Sequence, residues 1–480
     1  MAADDGRSIA SYAAMVCAIC KARKKKCDKV LPSCGYCVRP TAFSLASPHT
    51  ILLEPATSEA NLYRQALQII CGTGQFVDDI SARYFQGIHR YLPVTSRTRF
   101  HRSLITLGAT PSAGFSVLLL SICLATSSAK LGLRARNAAN TRPVDRRSLH
   151  LATKSLLAQV QGFFPPSVHL IQAALLLAVY EYAHGRPDEA FVSIAGCARM
   201  AYAARIHLCN RPSPRSPGSR SAASFFNTDP DTDIQLQVKE AANTWWGIIV
   251  CERTIFCEVS VSDQPLVTVM PGGDAQLPTE PDFLEQSEYL DPESIPYIPV
   301  SSLSSVGVGG FGRAAQAAWL LAQVLKCFEI ESLDSRTIQL QDLDTTLQAF
   351  LGVLIQPCSG TGAVFCEAIA ITIRALFTLH WHILSQSTPP IVSAKYQSLE
   401  KWCNRSQAAL DTVAKMVVDV VEAHENLEFV APSYSYIIRA ALKHIYGKTE
   451  WKDESWLRGA EERLRTSLDQ FNYYWNVNDY

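Results

Sequence analysis

Five cysteines fall within twenty-one residues near the start of this 480-residue chain: Cys17, Cys20, Cys27, Cys34 and Cys37, spaced C-x2-C-x6-C-x6-C-x2-C. A C-x2-C turn lets two thiolates converge on one ion, so paired turns suit tetrahedral metal binding. Between the second and third cysteines lies the run Lys21-Ala22-Arg23-Lys24-Lys25-Lys26. Clustered cations suit contact with phosphates. Together the two features point to a small zinc module that sets a basic segment on nucleic acid. A redox dithiol fits less well, because a C-x-x-C of that kind follows a strand and nothing upstream of Cys17 reads as one. The basic run also suits a nuclear localisation signal, which is compatible with DNA contact.

The stretch from Cys17 to Cys37 resembles the fungal binuclear zinc cluster of transcription factors. The residues that carry the likeness are Cys17-Ala18-Ile19-Cys20, the basic run, Cys27-Asp28, and Pro32 in the loop before Cys34. The resemblance implies two zinc ions shared by six cysteines, with Cys17 and Cys34 as bridges. It implies double-stranded DNA as partner, CGG-like triplets as half-sites and a short helix after Cys20 in the major groove. It also implies roles: Lys24 at base edges, then Arg23 and Lys25, with Lys21, Lys26 and Lys29 on phosphates.

The chain departs from that pattern at one point. The sixth cysteine is expected about seven positions after the fifth, where Ser44 stands, and the next cysteine is Cys71. Carried over, Cys17, Cys20, Cys27 and Cys34 complete one site, while the second has Cys34, Cys37, Cys17 and an empty corner. Two explanations stand side by side. Water, Ser44 or His49 fills the corner, or the segment after Arg39 reflects a mis-called exon junction.

Net formal charge is zero, yet Cys17 to Arg39 holds seven Lys or Arg against one Asp. That segregation describes a basic end on a neutral body. The other ten cysteines are scattered through apolar stretches and read as buried free thiols of a reducing compartment. The N-terminus has no secretory pattern. The longest apolar stretches noted, Val117 to Ala125 and Ala173 to Tyr180, are too short to span a bilayer, so no membrane is expected.

Helical periodicity starts at Glu59, with Leu62, Ala66, Leu67 and Ile70 on one side, after a proline-broken stretch over residues 38 to 58. Further helices are expected over Gly114–Leu131, Arg146–Gln161, Ser167–Tyr182, Pro187–Ile206 and Ile234–Val259. A second set covers Gly312–Phe328, Asp342–Ile355, Ala363–Ser385, Ser393–Glu425, Ser433–Tyr446 and Glu454–Phe471. Arg211–Asp233 and Leu277–Gly310 read as loops. Sustained strand alternation is absent, so the fold class is all-α.

The body also resembles the family's middle region, the fungal-specific transcription factor domain. Three stretches carry this likeness. The first is Arg90-Tyr91-Leu92-Pro93-Val94 with Arg99-Phe100. The second runs from Ile194 to Ala203 and closes at Ile206-His207, where Arg205 replaces the family's Gly. The third is Asn243-Thr244-Trp245-Trp246-Gly247 with Glu252-Arg253. The organisation expected is a zinc module over 12–44, a linker over 45–75, the family's helical domain over 76–300 and a C-terminal helical region over 301–480.

No catalytic constellation is visible. The glycine-rich piece Gly307-Val308-Gly309-Gly310-Phe311 lacks the strand a phosphate loop needs. His169, His207, His380 and His382 are isolated from other ligand types in the sequence, and the last two point to different helix faces. Trp245 and Trp246 read as core anchors, and Arg199 and Arg253 as partners of acids inside the bundle. The reading is a nuclear, zinc-dependent DNA-binding transcription regulator, not an enzyme. The alternative is a helical interaction protein that has lost DNA binding. Coactivators are candidate partners. A homodimer stays open, although Ser44 to Gly74 holds no three successive a/d heptads. The aromatic tail from Asp469 to Tyr480 is expected to dock Phe471, Tyr474 and Trp475 on the bundle rather than to activate transcription as a free segment.

Overall fold

Serine caps set the starts of three helices that carry much of the first half of the core. Ser58 accepts a hydrogen bond from Asn61 N at 3.3 Å and opens α1 (Glu59–Gly72). Ser112 accepts from Phe115 N at 3.3 Å and opens α4 (Ala113–Ala125). Ser167 accepts from Leu170 N at 3.3 Å and opens α6 (Val168–Ala183). Each cap satisfies an amide that the helix itself leaves unpaired. The computed structural model describes residues 58–105, 110–127, 145–209, 230–261, 263–286, 297–355, 365–386, 394–423, 430–448, 454–475 and 477. The chain divides into Met1–Ala56 and Thr57–Tyr480. The first unit lies outside the described residues, and every described helix belongs to the second.

The remaining helices are α2 (Val77–Gln86), α3 (Arg97–Ile105), α5 (Arg146–Phe163), α7 (Pro187–Ala203), α8 (Pro230–Phe256), α9 (Pro281–Gln286), α10 (Gly310–Cys327), α11 (Leu333–Ile355), α12 (Cys366–Ser385), α13 (Ala394–Glu422), α14 (Ser433–Gly447) and α15 (Glu454–Trp475). Among the described residues there is no strand, only an isolated bridge between Gln276 and Pro299. The all-α fold class therefore holds for the described body.

Two helices act as hubs, one buried all round and one over most of its length. Every residue of α4 is buried, as expected of a helix apolar on all faces, and it packs against α1, α2, α5 and α6. The α4–α6 crossing is close enough to need Gly114, where a Cβ would come within 2.4 Å of Ser167 Oγ. In the second half α12 packs against α10, α11, α13 and α14. Helix α8 joins the halves by touching α6, α7 and α10.

The expected helices are present, with informative differences. The stretch given as linker over 45–75 includes α1, whose Leu62, Ala66 and Ile70 are buried against the core. Helices α2, α3 and α9 were not expected. Helix α8 begins at Pro230, inside the expected loop, because proline is tolerated in a first turn. Helix α11 starts at Leu333 rather than Asp342. The bilayer argument also needs correcting. Helix α12 has the length and composition to cross a membrane, but 72% of its apolar window is buried inside the protein. It carries Arg374 at 0% exposure, so it is a core helix.

Candidate functional site

The expected metal ligands Cys17, Cys20, Cys27, Cys34 and Cys37, and the expected DNA contacts from Lys21 to Lys29, lie outside the described residues. The described body shows how the three motif stretches fit together. The opening stretch is pinned to α8 by a buried carboxylate and an amide. Glu240 accepts from Ser96 N at 2.5 Å and pairs with Arg99. Asn243 donates to Pro93 O at 2.8 Å and to Thr279 O at 2.7 Å, and accepts from Thr279 N at 2.8 Å. Gly247 leaves room for Leu92, Val94 and Leu175, whose side chains a Cβ would meet at 2.9 to 3.1 Å. Buried polar groups that are all paired fix one register between loop and helix.

Farther along α8, Glu252 and Arg253 clamp a loop. Glu252 accepts from Val267 N at 2.7 Å and Thr268 N at 3.0 Å, while Arg253 donates to Thr268 O at 2.7 Å and to Glu252 at 2.6 Å. Arg253 thus pairs with an acid inside the bundle, as expected. Arg199 does not, since it is exposed on α7. Trp246 is fully buried and donates to Gln276 O at 3.1 Å; Trp245 packs edge-on to Tyr202. Both tryptophans are core anchors. After α7, Arg205 takes the left-handed conformation at φ 59°, the backbone state that the family's glycine adopts most cheaply.

Three interlocked motif stretches on one helical frame match a known domain. The model for the fungal-specific transcription factor domain matches residues 82–331, about half of the chain. This chain belongs to that family. Transcription factor BOA15 of Botryotinia fuckeliana (strain B05.10) is 29% identical over 143 residues, 30% of this chain and 73% of that protein. No solved structure matches the chain.

The family match ends just before α11, yet the helices beyond it complete the same core. Arg374 on α12 reaches back to α6 and α8. It pairs with Glu258 at 3.0 Å, donates to Tyr182 OH at 2.5 Å and to Thr254 O, and stacks over Tyr436 at 3.7 Å. Arg439 on α14 adds a second cation to Glu258 at 2.5 Å. Burial pushes Glu258 up, but Arg374 and Arg439 outweigh it and hold its pKa below the usual range. The aromatic tail docks as expected: Phe471 and Trp475 are buried, Tyr474 is half-buried and Tyr473 faces solvent.

Membership of the family makes the protein a non-enzymatic regulator, and His169, His207 and His382 and the buried thiols behave as packing residues. Burial lowers His169 to about 4, with Arg99 adding to the effect. His207 packs on Tyr202 and Trp245, and His382 stacks on Phe328. His380 is less isolated than the sequence implies, because Asp344 lies 3.3 Å from its Nε2 and Ser406 Oγ 3.2 Å from its Nδ1. The two rings do leave α12 on different sides. All nine described cysteines are free, with Cys123, Cys197 and Cys327 buried and Cys71 exposed. Burial raises the Cys123 and Cys366 thiols to about 12, which makes them poor nucleophiles.

The sequence reading missed one cluster of metal-ligand type, His150, Glu181 and Glu189. Its members come from three helices with no recognisable spacing, so only the fold brings them together.

Proposed function

We propose that this protein is a zinc-dependent, sequence-specific regulator of RNA polymerase II transcription that acts in the nucleus. The observation that carries the reading is the order of parts: paired C-x2-C turns flanking a basic run, ahead of a fungal-specific transcription factor domain. Folding of a segment this small depends on its metal, because thiolates without zinc supply no core. Cys17, Cys20, Cys27 and Cys34 hold the complete site; Cys37 joins a second. The helix after Cys20 enters the major groove of CGG-like sites. Lys24 donates to guanine N7 and O6, and Lys21, Lys26 and Lys29 neutralise phosphates.

A gel-shift series on a CGG-containing library tests this. Binding should require zinc and vanish in Cys27→Ala. Lys24→Ala should cost about 1–3 kcal/mol at the preferred site only. Lys26→Ala should weaken all sequences alike and flatten the salt slope by about one unit. A specificity ratio untouched by Lys24→Ala would refute the assignment. Ser44 at the sixth position favours a second reading, a regulator that has lost DNA binding and acts through its helical body. Zinc-loaded protein that binds no DNA in the series would establish it.

A further inference from the structure

Helices α6 and α7 meet in a tight turn that returns the chain over its own path. His184 ends α6, and Gly185 takes φ 72°. Gly185 N donates to Tyr182 O at 3.0 Å and Arg186 N to Glu181 O at 3.1 Å, the paired bonds of a glycine-terminated helix. The turn places Glu189, in the first turn of α7, beside Glu181 near the end of α6. From α5, His150 reaches the same point. One ligand atom from each of His150, Glu181 and Glu189 lies within 4.8 Å of the others.

Glu181 is the centre of the cluster. Its side chain has 0% exposure and that of His150 has 5%. His150 Nε2 stands 3.0 Å from Glu181 Oε1, and Ser193 Oγ donates to Oε2 at 2.5 Å. Lys154, one turn after His150, brings its ammonium to Oε1 at 2.7 Å, with 40% of its side chain still in water. Arg186 takes one oxygen of Glu189 at 2.9 Å.

An imidazole nitrogen and two carboxylates from rigid helices are a donor set for zinc. Bonds of about 2.0–2.2 Å in a tetrahedron put neighbouring donor atoms about 3.3–3.6 Å apart. His150 and Glu181 already stand near that separation. Glu189 is exposed, so its side chain can close the remaining gap by a rotamer change. Lys154 now supplies the positive charge that a fully buried carboxylate needs, and its exposed stem lets it retreat to water when an ion takes over. Ser193 would then orient the ligating carboxylate from outside.

We infer that His150, Glu181 and Glu189 form a zinc-binding site that cross-links α5, α6 and α7 inside the family domain. With three protein donors, the fourth position falls to water. Such open coordination suits an ion that exchanges, so the site would stiffen the motif-bearing helix α7 in response to zinc. It is independent of the N-terminal cysteines.

Equilibrium dialysis of the full chain against micromolar zinc, with bound metal counted, tests the site. Glu189→Gln is the decisive variant, because Glu189 is exposed and its loss should leave the fold intact. It should bind one zinc fewer than wild type. Lys154→Met should keep that zinc and hold it more tightly, since the competing cation is gone. Cys27→Ala should lose thiolate-held metal while keeping this ion, and added zinc should raise its melting temperature. The same zinc should not stabilise the Cys27→Ala/Glu189→Gln double variant. Equal zinc counts in wild type and Glu189→Gln, with both folded, would overturn the proposal.

Discussion

Arg205 offers a clean test of the argument about the family's missing glycine. It is exposed, makes no ion pair among the described residues, and is the sole non-glycine residue there with positive φ. Its backbone is engaged on both sides: Arg205 N donates to Tyr202 O at 3.0 Å and Leu208 N donates to Arg205 O at 3.1 Å. The left-handed state is therefore held by the turn between α7 and the short 3-10 turn Ile206–Leu208. Holding a residue with a Cβ there costs about 1–2 kcal/mol. Glycine escapes that cost but gives the unfolded chain extra freedom worth about 0.4–1 kcal/mol. The difference leaves Arg205→Gly more stable than wild type by about 0.5–1 kcal/mol. Arg205→Ala isolates the backbone term: it removes the side chain but keeps the Cβ, so it should stay within about 0.5 kcal/mol of wild type. Urea unfolding of the three proteins reads the result as a shift in midpoint at constant slope. Arg205→Gly no more stable than Arg205→Ala would refute the reasoning.

Three further outcomes rest on the buried contacts. Arg374→Met should cost about 3–5 kcal/mol, because it breaks a buried pair, and Arg374→Lys should not restore it, since one ammonium cannot reach Glu258, Tyr182 and Thr254 together. A loss below about 1 kcal/mol in urea melts would show that Arg439 alone satisfies Glu258. Stability should fall as pH drops from 6.5 towards 4.5. Burial lowers His89 and His169 to about 4 and His184 to about 3, so the unfolded chain takes up protons in this window while the fold does not. Each contributes up to about 1.4 kcal/mol per pH unit. Glu280 and Glu367, raised by burial, take up protons earlier in the fold and offset part of this. Urea midpoints equal at pH 7.0 and 5.5 would contradict the histidine argument. Trp475→Ala should cost about 3–5 kcal/mol, as expected for a large buried side chain. No loss of stability would reinstate the tail as a free activating segment.

Much of the helical order was legible because apolar residues on α1, α5 and α14 recur at helical spacing and Asp, Ser and Pro mark the starts of α5, α6 and α7. Helix α3 was not legible, since Arg97–Ile105 buries only Phe100 and so shows no apolar stripe. The start of α11 was missed for the same reason: Leu333 to Gln339 is polar and mostly exposed, and propensity alone does not announce it. The buried charges were the least legible. Glu181, Glu240, Glu252 and Arg374 sit on helices where a charged residue ordinarily faces water. Apart from the adjacent pair Glu252–Arg253, the groups that pair with them lie 12 to 192 residues away in sequence, so no local pattern predicts them.

The glycine-rich stretch shows how a correct exclusion can still miss the physics. Gly307-Val308-Gly309-Gly310-Phe311 fails as a phosphate loop because no strand precedes it, and none does among the described residues. An anion nevertheless sits at this helix start. Glu280 accepts from Gly312 N at 2.8 Å and Phe311 N at 3.4 Å, placing its carboxylate where α10 leaves amides unpaired. A Cβ on Gly309 would come within 2.4 Å of the Glu280 side chain, and one on Gly312 within 2.9 Å. The glycines therefore admit an anion, but one supplied by the chain itself just before α9. A loop that already holds its own carboxylate has no vacancy for a phosphate, so the stretch anchors the last part of the family domain instead of binding a nucleotide.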